Sequence, residues 1–252
     1  MTKPEEKTQQ FKISTKALQG FIAQVRGPQK NPIEEALIEI RPTGMHAFIL
    51  GSDGSRQVKI EYEFPEPFEA GQAPETTEIC LAQMTQLMGA LKHLAGDETT
   101  IIISKSAVKF QDGQKREITV SQIDPTQIKR GVPAETPILA VFSLLEEQVG
   151  ELVDDMKLAA GSKSAVPVQL THHAGEPFCS VAFHSESPIG LKTTLEMDAL
   201  VPDFSFAQRQ LGVLELASGP AKIEIGQRAI FIHYTTEEQI KVMHTLAEYI
   251  MY

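Results

Sequence analysis

Apolar and polar residues along this chain alternate with two different periods, and the changes of period mark the elements. Residues 7–27 are typical of a short strand followed by a helix, with Ser14 as the helix N-cap. The apolar positions of that helix fall on one stripe formed by Leu18, Phe21, Ile22 and Val25. Gly27 follows the stripe, which predicts the end of the helix there.

Residues 137–161 repeat the strand-then-helix plan. Ser143 is the predicted N-cap, and Glu146 three residues later completes a capping box. The apolar stripe comprises Leu145, Val149, Leu152, Val153 and Met156. Gly161 is the predicted stop, so the second half of the chain begins like the first.

A second helix-to-strand unit occurs once in each half. Residues 81–104 align without gaps on residues 204–225 at an offset of 123. Gly89, Leu91 and Gly96 then fall on Gly212, Leu214 and Gly219. Both stretches predict a short helix that stops at a glycine and continues as a strand.

Three strand-like runs, separated by turn residues, follow each of the four predicted helices. The chain is therefore a strand–helix–three-strand unit used four times, which is an α+β plan. We predict two similar domains, residues 1–121 and 138–252. Residues 122–137 join them and contain three prolines, Gly131 and two adjacent basic residues, which favours an extended connecting loop.

Composition narrows the class of protein. The hydrophobic fraction of 42% supports a packed core, and the net charge of −10 argues against a protein covered in basic residues for passive nucleic-acid binding. Cys80 and Cys179 alone form no disulfide framework, the N-terminus has no apolar targeting segment, and no run is long enough to cross a membrane. We therefore expect an intracellular protein.

Sequence motifs for catalysis, metals and cofactors are missing. The chain has no phosphate-binding glycine loop and no nucleophile elbow. The adjacent pair at 172 and 173 and the histidines at 184 and 233 lie on separate strands without the spacing of metal ligands. We expect no enzyme activity, no metal and no cofactor.

The fourfold pattern resembles the DNA sliding clamps, in particular the PCNA-like group with two domains in each chain. The most specific part is residues 204–234, "FSFAQRQLGVLELASGPAKIEIGQRAIFIHY", and residues 122–137 fall where that group has its interdomain connecting loop. The resemblance implies a homotrimeric ring that encircles duplex DNA and tethers the replicative polymerase and other DNA enzymes. Sheets would form its outer wall, with the helices on one face of them, and an ATP-hydrolysing loader would open it.

In such a ring the basic residues on or beside the helices face DNA phosphates. The resemblance assigns this role to Lys16, Arg26, Lys30, Lys92, His93, Lys157, Lys163 and Arg209. Contacts that slide along DNA should be few, directed at phosphates and free of base readout. An acidic outer surface agrees with that, because it keeps DNA off the outside of the ring.

The third predicted helix departs from this pattern. It carries Glu146, Glu147, Glu151, Asp154 and Asp155 against a single Lys157. Carboxylates beside phosphates are unfavourable. Three explanations stay open: the carboxylates point to a subunit edge, the clamp holds DNA loosely, or a basic partner lies opposite them.

The resemblance also implies an apolar pocket for partner peptides beneath the connecting loop. Its wall here would be Leu50, Ile128, Val132, Ala229 and Met243. The family commonly has a proline and a tyrosine in this region, and Ala229 and Met243 stand in their places. We expect ring closure through edge strands at residues 107–112 and 180–186, as edge strands need partners.

Two other functions remain as alternatives at this stage. The chain could be a clamp-like subunit of a hetero-oligomeric ring in damage signalling or transcription. An enzyme with a repeated α+β fold is the less favoured reading, and a deep pocket with convergent titratable residues would support it.

Overall fold

The computed structural model of the chain describes most of its first half and selected segments of its second. The described residues are 8–29, 32–51, 54, 56–66, 68, 74–113, 116–160, 167–172, 178–183, 191–196, 204–207 and 212–247. For the four segments between 167 and 207 this description covers the backbone.

The first strand and helix form as their sequence predicts. Strand β1 (Gln9–Ser14) leads directly into α1 (Thr15–Arg26), and the Ser14 side chain accepts a hydrogen bond from the Ala17 backbone N–H at 3.5 Å. The stripe of Leu18, Phe21, Ile22 and Val25 is buried. The helix ends at Gly27, whose φ of +76° favours glycine, and a Cβ there would lie 2.7 Å from the Arg56 guanidinium.

The rest of the first half contains seven strands and one α-helix. Their bounds are β2 (Glu35–Arg41), β3 (Gly44–Leu50), β4 (Arg56–Glu63), β5 (Thr77–Ala82), α2 (Met84–Leu91), β6 (Glu98–Ile103), β7 (Ala107–Asp112) and β8 (Glu117–Ser121). The first half is thus a strand–helix–three-strand unit used twice.

The second half shows the same order with one change. After the 3-10 helix η1 (Pro125–Gln127) come β9 (Ile138–Leu144), α3 (Glu146–Ala160), β10 (Pro167–His172), β11 (Phe178–Phe183), β12 (Leu191–Glu196), β13 (Phe204–Ala207), the 3-10 helix η2 (Gly212–Leu216), β14 (Ala221–Gly226), β15 (Ala229–Thr235) and β16 (Lys241–Ala247). η2 stands where the fourth α-helix was predicted. The α+β class and the fourfold unit are confirmed.

The strands form three antiparallel sheets, and the largest contains strands from both halves. Its order is β5-β2-β3-β4-β16-β15-β14-β9, eight strands in all. The halves meet where β4 pairs with β16, from Lys241 opposite Glu61 to Leu246 opposite Arg56. The two smaller sheets have the orders β1-β6-β7-β8 and β12-β11-β10-β13.

The helices of each half pack beside one another on the sheets. Helix α1 contacts α2, β1, β4 and β6, and α3 contacts η2, β9 and β12. Most of the described buried apolar side chains of both halves belong to one continuous cluster, which includes Phe21 and Phe110 from the first half and Leu214 and Ile232 from the second. The packing of the helices therefore fixes which of their faces is exposed.

A buried polar network joins α1 to the second half. The Tyr234 hydroxyl donates to Gln24 Oε1 at 2.8 Å and lies 3.0 Å from His244 Nε2. Since the hydroxyl has one proton, His244 Nε2 is the donor in the second bond. Gln24 Nε2 donates to the Leu216 carbonyl at 3.1 Å, at the end of η2. Burial and the nearby Arg56 charge hold the pKa of His244 well below its usual range.

Two predicted helix features are wrong. Ser143 is not a helix cap: it lies inside β9 opposite Lys222, because the alternation continues to the buried Leu144. The helix begins at Glu146, and Gln148 Oε1 accepts from the Leu145 N–H at 2.8 Å, as the third residue of a capping box would. The stretch from 204 is also not helical at its start, because Phe204 and Phe206 alternate along β13 and pair with β10.

The prediction of the edge strands for ring closure is also wrong. Residues 107–112 form β7, which lies between β6 and β8. Residues 178–183 form β11, which lies between β10 and β12. Among the strands that the structure describes, the edges of the smaller sheets are β1 and β8 in one and β12 and β13 in the other. In the described part of the chain, no helix is long and apolar enough to cross a membrane.

Candidate DNA-facing helices and partner-binding surface

The helices of the first half expose basic residues and no carboxylates. Positions 16, 19, 20, 23 and 26 of α1 are exposed or half-buried, and their spacing of three or four residues places them on one face. Lys16 begins this face, and Arg26 ends it with its Nε donating to the Gly27 carbonyl at 3.1 Å. Neither α1 nor α2 contains Asp or Glu.

Lys92 and His93 extend this surface just beyond α2. Lys92 is the C-cap residue of α2, and both side chains are exposed. A basic residue at that end also complements the partial negative charge of the helix terminus. The Gln19 side chain donates to the Leu91 carbonyl at 2.8 Å and so joins α1 to α2. We call the exposed face of α1 and α2, with Lys16, Arg26, Lys92 and His93, the first-half helix layer.

The helices of the second half have the opposite charge. On α3 the side chains of Glu146, Glu147, Glu151 and Asp154 are exposed, and η2 adds the exposed Glu215. Lys157 Nζ lies 3.4 Å from Asp154 Oδ1, so its charge is balanced within the helix. We call this acidic face of α3 and η2 the second-half helix layer. Lys30, Lys163 and Arg209 lie outside the described residues.

The connecting loop begins with a short 3-10 turn. Asp124 caps η1 by accepting from the Thr126 N–H at 2.9 Å and from the Thr126 hydroxyl at 2.7 Å, and these hydrogen bonds lower the pKa of its carboxyl. Ile128, just after η1, is buried against Leu37 and Cys80. Burial raises the pKa of the Cys80 thiol, which keeps it protonated and weakly reactive.

Residues 129–132 of the loop run beside the end of β3. The Leu50 N–H donates to the Lys129 carbonyl at 3.1 Å, and the Gly131 N–H donates to the Phe48 carbonyl at 3.0 Å. A Cβ at Gly131 would lie 2.5 Å from the Phe48 ring, so only glycine lets the loop approach this closely. The Val132 N–H then donates to Gln57 Oε1 at 2.6 Å, and its side chain is 68% exposed.

Strand register places four of the five predicted pocket residues around one row of the large sheet. Leu50 stands opposite Gln57, Gln57 opposite Thr245, and Thr245 opposite Phe231. Val132 is bonded to Gln57, while Met243 and Ala229 are each two residues from a member of the row and so on the same face. Ile128 instead lies with Leu37 and Cys80, away from this group.

Gln57, Thr245 and Phe231 are members of this surface that the sequence analysis missed. Each belongs to the outward-facing set of a strand, and period-2 alternation identifies that set. Alternation does not show which outward residues a loop will cover, because that depends on strand register and on the path of the loop. Phe231 is only 7% exposed although it belongs to the outward set.

The neighbouring part of the same sheet face carries paired charges. Met243 lines an open groove of about 910 Å³ with Lys59, His233 and Lys241. Hydrogen bonds from Lys222 and His233 lower the pKa of the Glu224 carboxyl. Lys241 Nζ lies 2.8 Å from Glu63 Oε1. Within the described residues, no group of three or more His, Cys, Asp and Glu side chains could hold a metal ion.

Solved structures of sliding clamps share this fold. The chain superimposes on the PCNA2–PCNA3 complex from Sulfolobus tokodaii with a TM-score of 0.70 and 11% identity, covering 95% of this chain and 98% of that one. It matches A. fulgidus PCNA, bound to the C-terminal region of FEN-1, with a TM-score of 0.72 and 15% identity over 96% and 99% of the two chains.

A bacterial clamp subunit gives a similar score. The β subunit of DNA polymerase III from Thermotoga maritima matches with a TM-score of 0.74 and 12% identity, over 98% of this chain and 65% of that one. No protein-family model matches the sequence, and no curated protein matches it. The chain has the α+β fold of the PCNA-like sliding clamps, and this expectation is confirmed at the level of fold.

Proposed function

We propose that this protein is a DNA sliding clamp, a ring that encircles duplex DNA and tethers the replicative polymerase and other DNA enzymes. The proposal rests on two strands, β8 and β12, each of which forms the edge of a sheet in the described part of the chain. Strand β4, the third strand after α1, pairs with β16, the last strand that the structure describes. This pairing joins one half to the other.

The repeat identifies which strands would form the same kind of pairing between two neighbouring chains. Strand β12 is the third strand after α3, as β4 is after α1, and β8 ends the first half as β16 ends the second. Within the described residues β8 and β12 are both sheet edges. A β8–β12 pairing between chains would repeat the β4–β16 join, and repetition of one join in one direction closes a ring.

The backbone of β8 is oriented for such a pairing. The Gln122 N–H donates to the Ser106 carbonyl, and the Arg116 carbonyl accepts from the Asp112 N–H. Antiparallel strands alternate between groups that face the partner and groups that face away. The N–H and C=O groups of Glu117 and Thr119 therefore point away from β7, toward the free edge. Beyond them the edge is partly covered, because Gln122 forms an isolated antiparallel bridge with Leu81 of β5.

Replacement of Thr119 by proline tests this edge. Thr119→Pro removes one outward N–H while the inward hydrogen bonds to β7 keep their donors. Thr119→Val, the control, retains the N–H and suits a strand. By light scattering, the wild type and Thr119→Val should have three times the 27.7 kDa mass of one chain, and Thr119→Pro should be smaller. A wild type that stays monomeric at high concentration contradicts a self-closing ring.

Inside the ring, we propose that Lys16, Arg26, Lys92 and His93 meet the DNA phosphates, with Lys30, Lys157, Lys163 and Arg209 as further candidates. The fold and the charge of the first-half helix layer support this assignment. A few such contacts hold DNA without reading its sequence, so the protein slides and performs no catalysis. An ATP-dependent loader would open the ring, and the protein would act inside the cell on replicating DNA.

We propose that partner enzymes bind the surface around Leu50, Val132, Ala229 and Met243, with Ile128 anchoring the connecting loop below it. The exposure of Val132 and the position of the loop beside β3 support this site. Val132→Asp should abolish stimulation of the cognate polymerase on long templates without changing the mass of the ring. Unchanged stimulation would remove Val132 from the site.

A further inference from the structure

The second-half helix layer contains a groove. It lies between α3 and η2 and has a volume of about 870 Å³. The buried side chains of Val149, Val153 and Leu214 form its apolar floor. Leu145 also lines the groove, and its side chain is 66% exposed.

Carboxylates surround this apolar floor. Glu146, Glu147 and Asp154 line the groove from α3, and Glu215 lines it from η2. Lys157 is the one basic residue of the lining among the described residues, and Asp154 already balances it. The rim is therefore strongly negative, and DNA phosphates would be repelled from it.

The shape of the groove suits a helix. On α3 the lining residues recur at 146, 150, 153 and 157, which is one stripe of a helix that is about 22 Å long at 15 residues. Gly150 lies in this stripe, and a Cβ added there would meet nothing within 4 Å, so the middle of the groove is open. In the first half the equivalent space is bridged by the bond from Gln19 to Leu91.

We infer that this groove binds a cationic amphipathic helix of a partner protein. Aliphatic side chains of the partner would cover Leu145 and the valine floor, and its Lys or Arg residues would face Glu146, Glu147, Asp154 and Glu215. Helices that lay an apolar face into a groove between helices are an established mode of recognition. The groove lies within one chain, so this inference does not depend on ring formation.

A designed peptide tests the groove directly. The probe is a 14-residue peptide of Leu and Lys, with the leucines at helical spacing i, i+3, i+4 and i+7, and its control is a scrambled peptide of the same composition. Binding is measured by fluorescence anisotropy at fixed ionic strength. The wild type should bind the amphipathic peptide at least about tenfold more tightly than the scrambled one, because only the first presents an apolar face.

Charge-matched variants locate the binding site. Asp154→Lys and Glu215→Lys lie in the groove, and Glu151→Lys makes the same change of charge on α3 outside the lining. The two groove variants should each weaken binding about tenfold, and Glu151→Lys by less than about twofold. Gly150→Phe fills the groove without a change of charge and should also abolish binding, whereas Gly150→Ala should retain it.

Three outcomes overturn the inference. Equal weakening by all three charge variants means general attraction to an acidic surface. Equal binding of the scrambled peptide means that the apolar floor is not used. Absence of peptide binding, with duplex DNA affinity raised more by Asp154→Lys and Glu215→Lys than by Glu151→Lys, means that this surface only faces DNA. The mass of the ring is measured separately, so none of these results decides the proposed function.

Discussion

The two helix layers occupy equivalent places in the repeat but have opposite charge. The first-half layer exposes Lys16, Arg26, Lys92 and His93 on helices that contain no carboxylate. The second-half layer exposes five carboxylates on α3 and η2 with one described lysine, which Asp154 balances. The packing that supports the layers is shared, because Leu91 and Leu214 are both buried at matching positions of the repeat.

Buried and exposed positions of the repeat are therefore constrained by different neighbours. The shape of the core constrains a buried leucine, because a smaller replacement leaves a cavity and a larger one overpacks the core. An exposed side chain on the same helix is limited only by what faces it. Carboxylates are unfavourable beside DNA phosphates, and this charge difference is the reason that we propose a separate ligand for the groove of the second-half layer.

The largest expected effect is on the free energy of unfolding, and it tests whether Leu91 and Leu214 pack equivalently in the two halves of the core. Leu91→Ala and Leu214→Ala should each lower the free energy of unfolding by about 2–5 kcal/mol, because each leaves a cavity in the continuous core. Chemical denaturation measures both. If Leu91→Ala lowers the free energy of unfolding by the full amount and Leu214→Ala hardly lowers it, then η2 is not the packing equivalent of α2.

The next effect tests the link between α1 and η2. Tyr234→Phe removes the hydroxyl that donates to Gln24 and accepts from His244, and leaves both buried groups short of a partner. We expect a loss of about 1–3 kcal/mol of unfolding free energy. Thr235→Val, an exposed change on the same strand, is the control and should change stability by less than about 0.5 kcal/mol.

The same network should make stability depend on pH. The pKa of His244 lies well below its usual range in the fold, and it rises to about 6.5 when the chain unfolds. The contribution of neutral His244 is therefore complete above about pH 6.5 and is lost as the pH falls below that value, because the unfolded chain binds a proton that the folded chain does not.

Comparison with His244→Gln isolates this contribution. The wild type should lose up to about 1.4 kcal/mol more per pH unit than His244→Gln as the pH falls below about 6.5. Denaturation midpoints at several pH values supply the comparison. Parallel curves for the two proteins would mean that His244 can be protonated within the fold.

The smallest effect compares one glycine in each layer. A Cβ at Gly150 in α3 would meet nothing within 4 Å, whereas a Cβ at Gly20 in α1 would lie 3.1 Å from Ile240 Cδ1 and 3.2 Å from Glu238 Oε2. Gly150→Ala should raise the free energy of unfolding by about 0.5–1 kcal/mol. Gly20→Ala should raise the free energy of unfolding by less, because the Ile240 and Glu238 side chains must move. Equal increases for the two variants would contradict the closer packing around Gly20.

Local sequence patterns predicted much of this fold. Ser14, the stripe of α1 and Gly27 all form the predicted helix, since capping and periodicity are local properties. The offset of 123 also aligns the start of β6 at Glu98 with the start of β14 at Ala221. The α+β class and the order of strands followed from these signals.

The errors arose where tertiary pairing decides local structure. Ser143 resembles a helix cap, but pairing with β14 keeps it extended. Phe204 and Phe206 alternate with polar or small residues, which is typical of a strand and agrees with β13, but the sequence analysis predicted a helix there. Edge strands could not be identified from the sequence, because β7 and β8 have similar patterns and only sheet order makes β8 the edge. The groove between α3 and η2 likewise depends on packing between distant segments.

Electron microscopy of the purified protein tests the central claim most directly. The account predicts class averages that show a closed ring with a central hole wide enough for duplex DNA, made of three copies of the chain. Disruption of the ring by Thr119→Pro, with an intact ring for Thr119→Val, would place β8 at the joins. Monomers, or an assembly without a hole in the wild type, would contradict the sliding-clamp account.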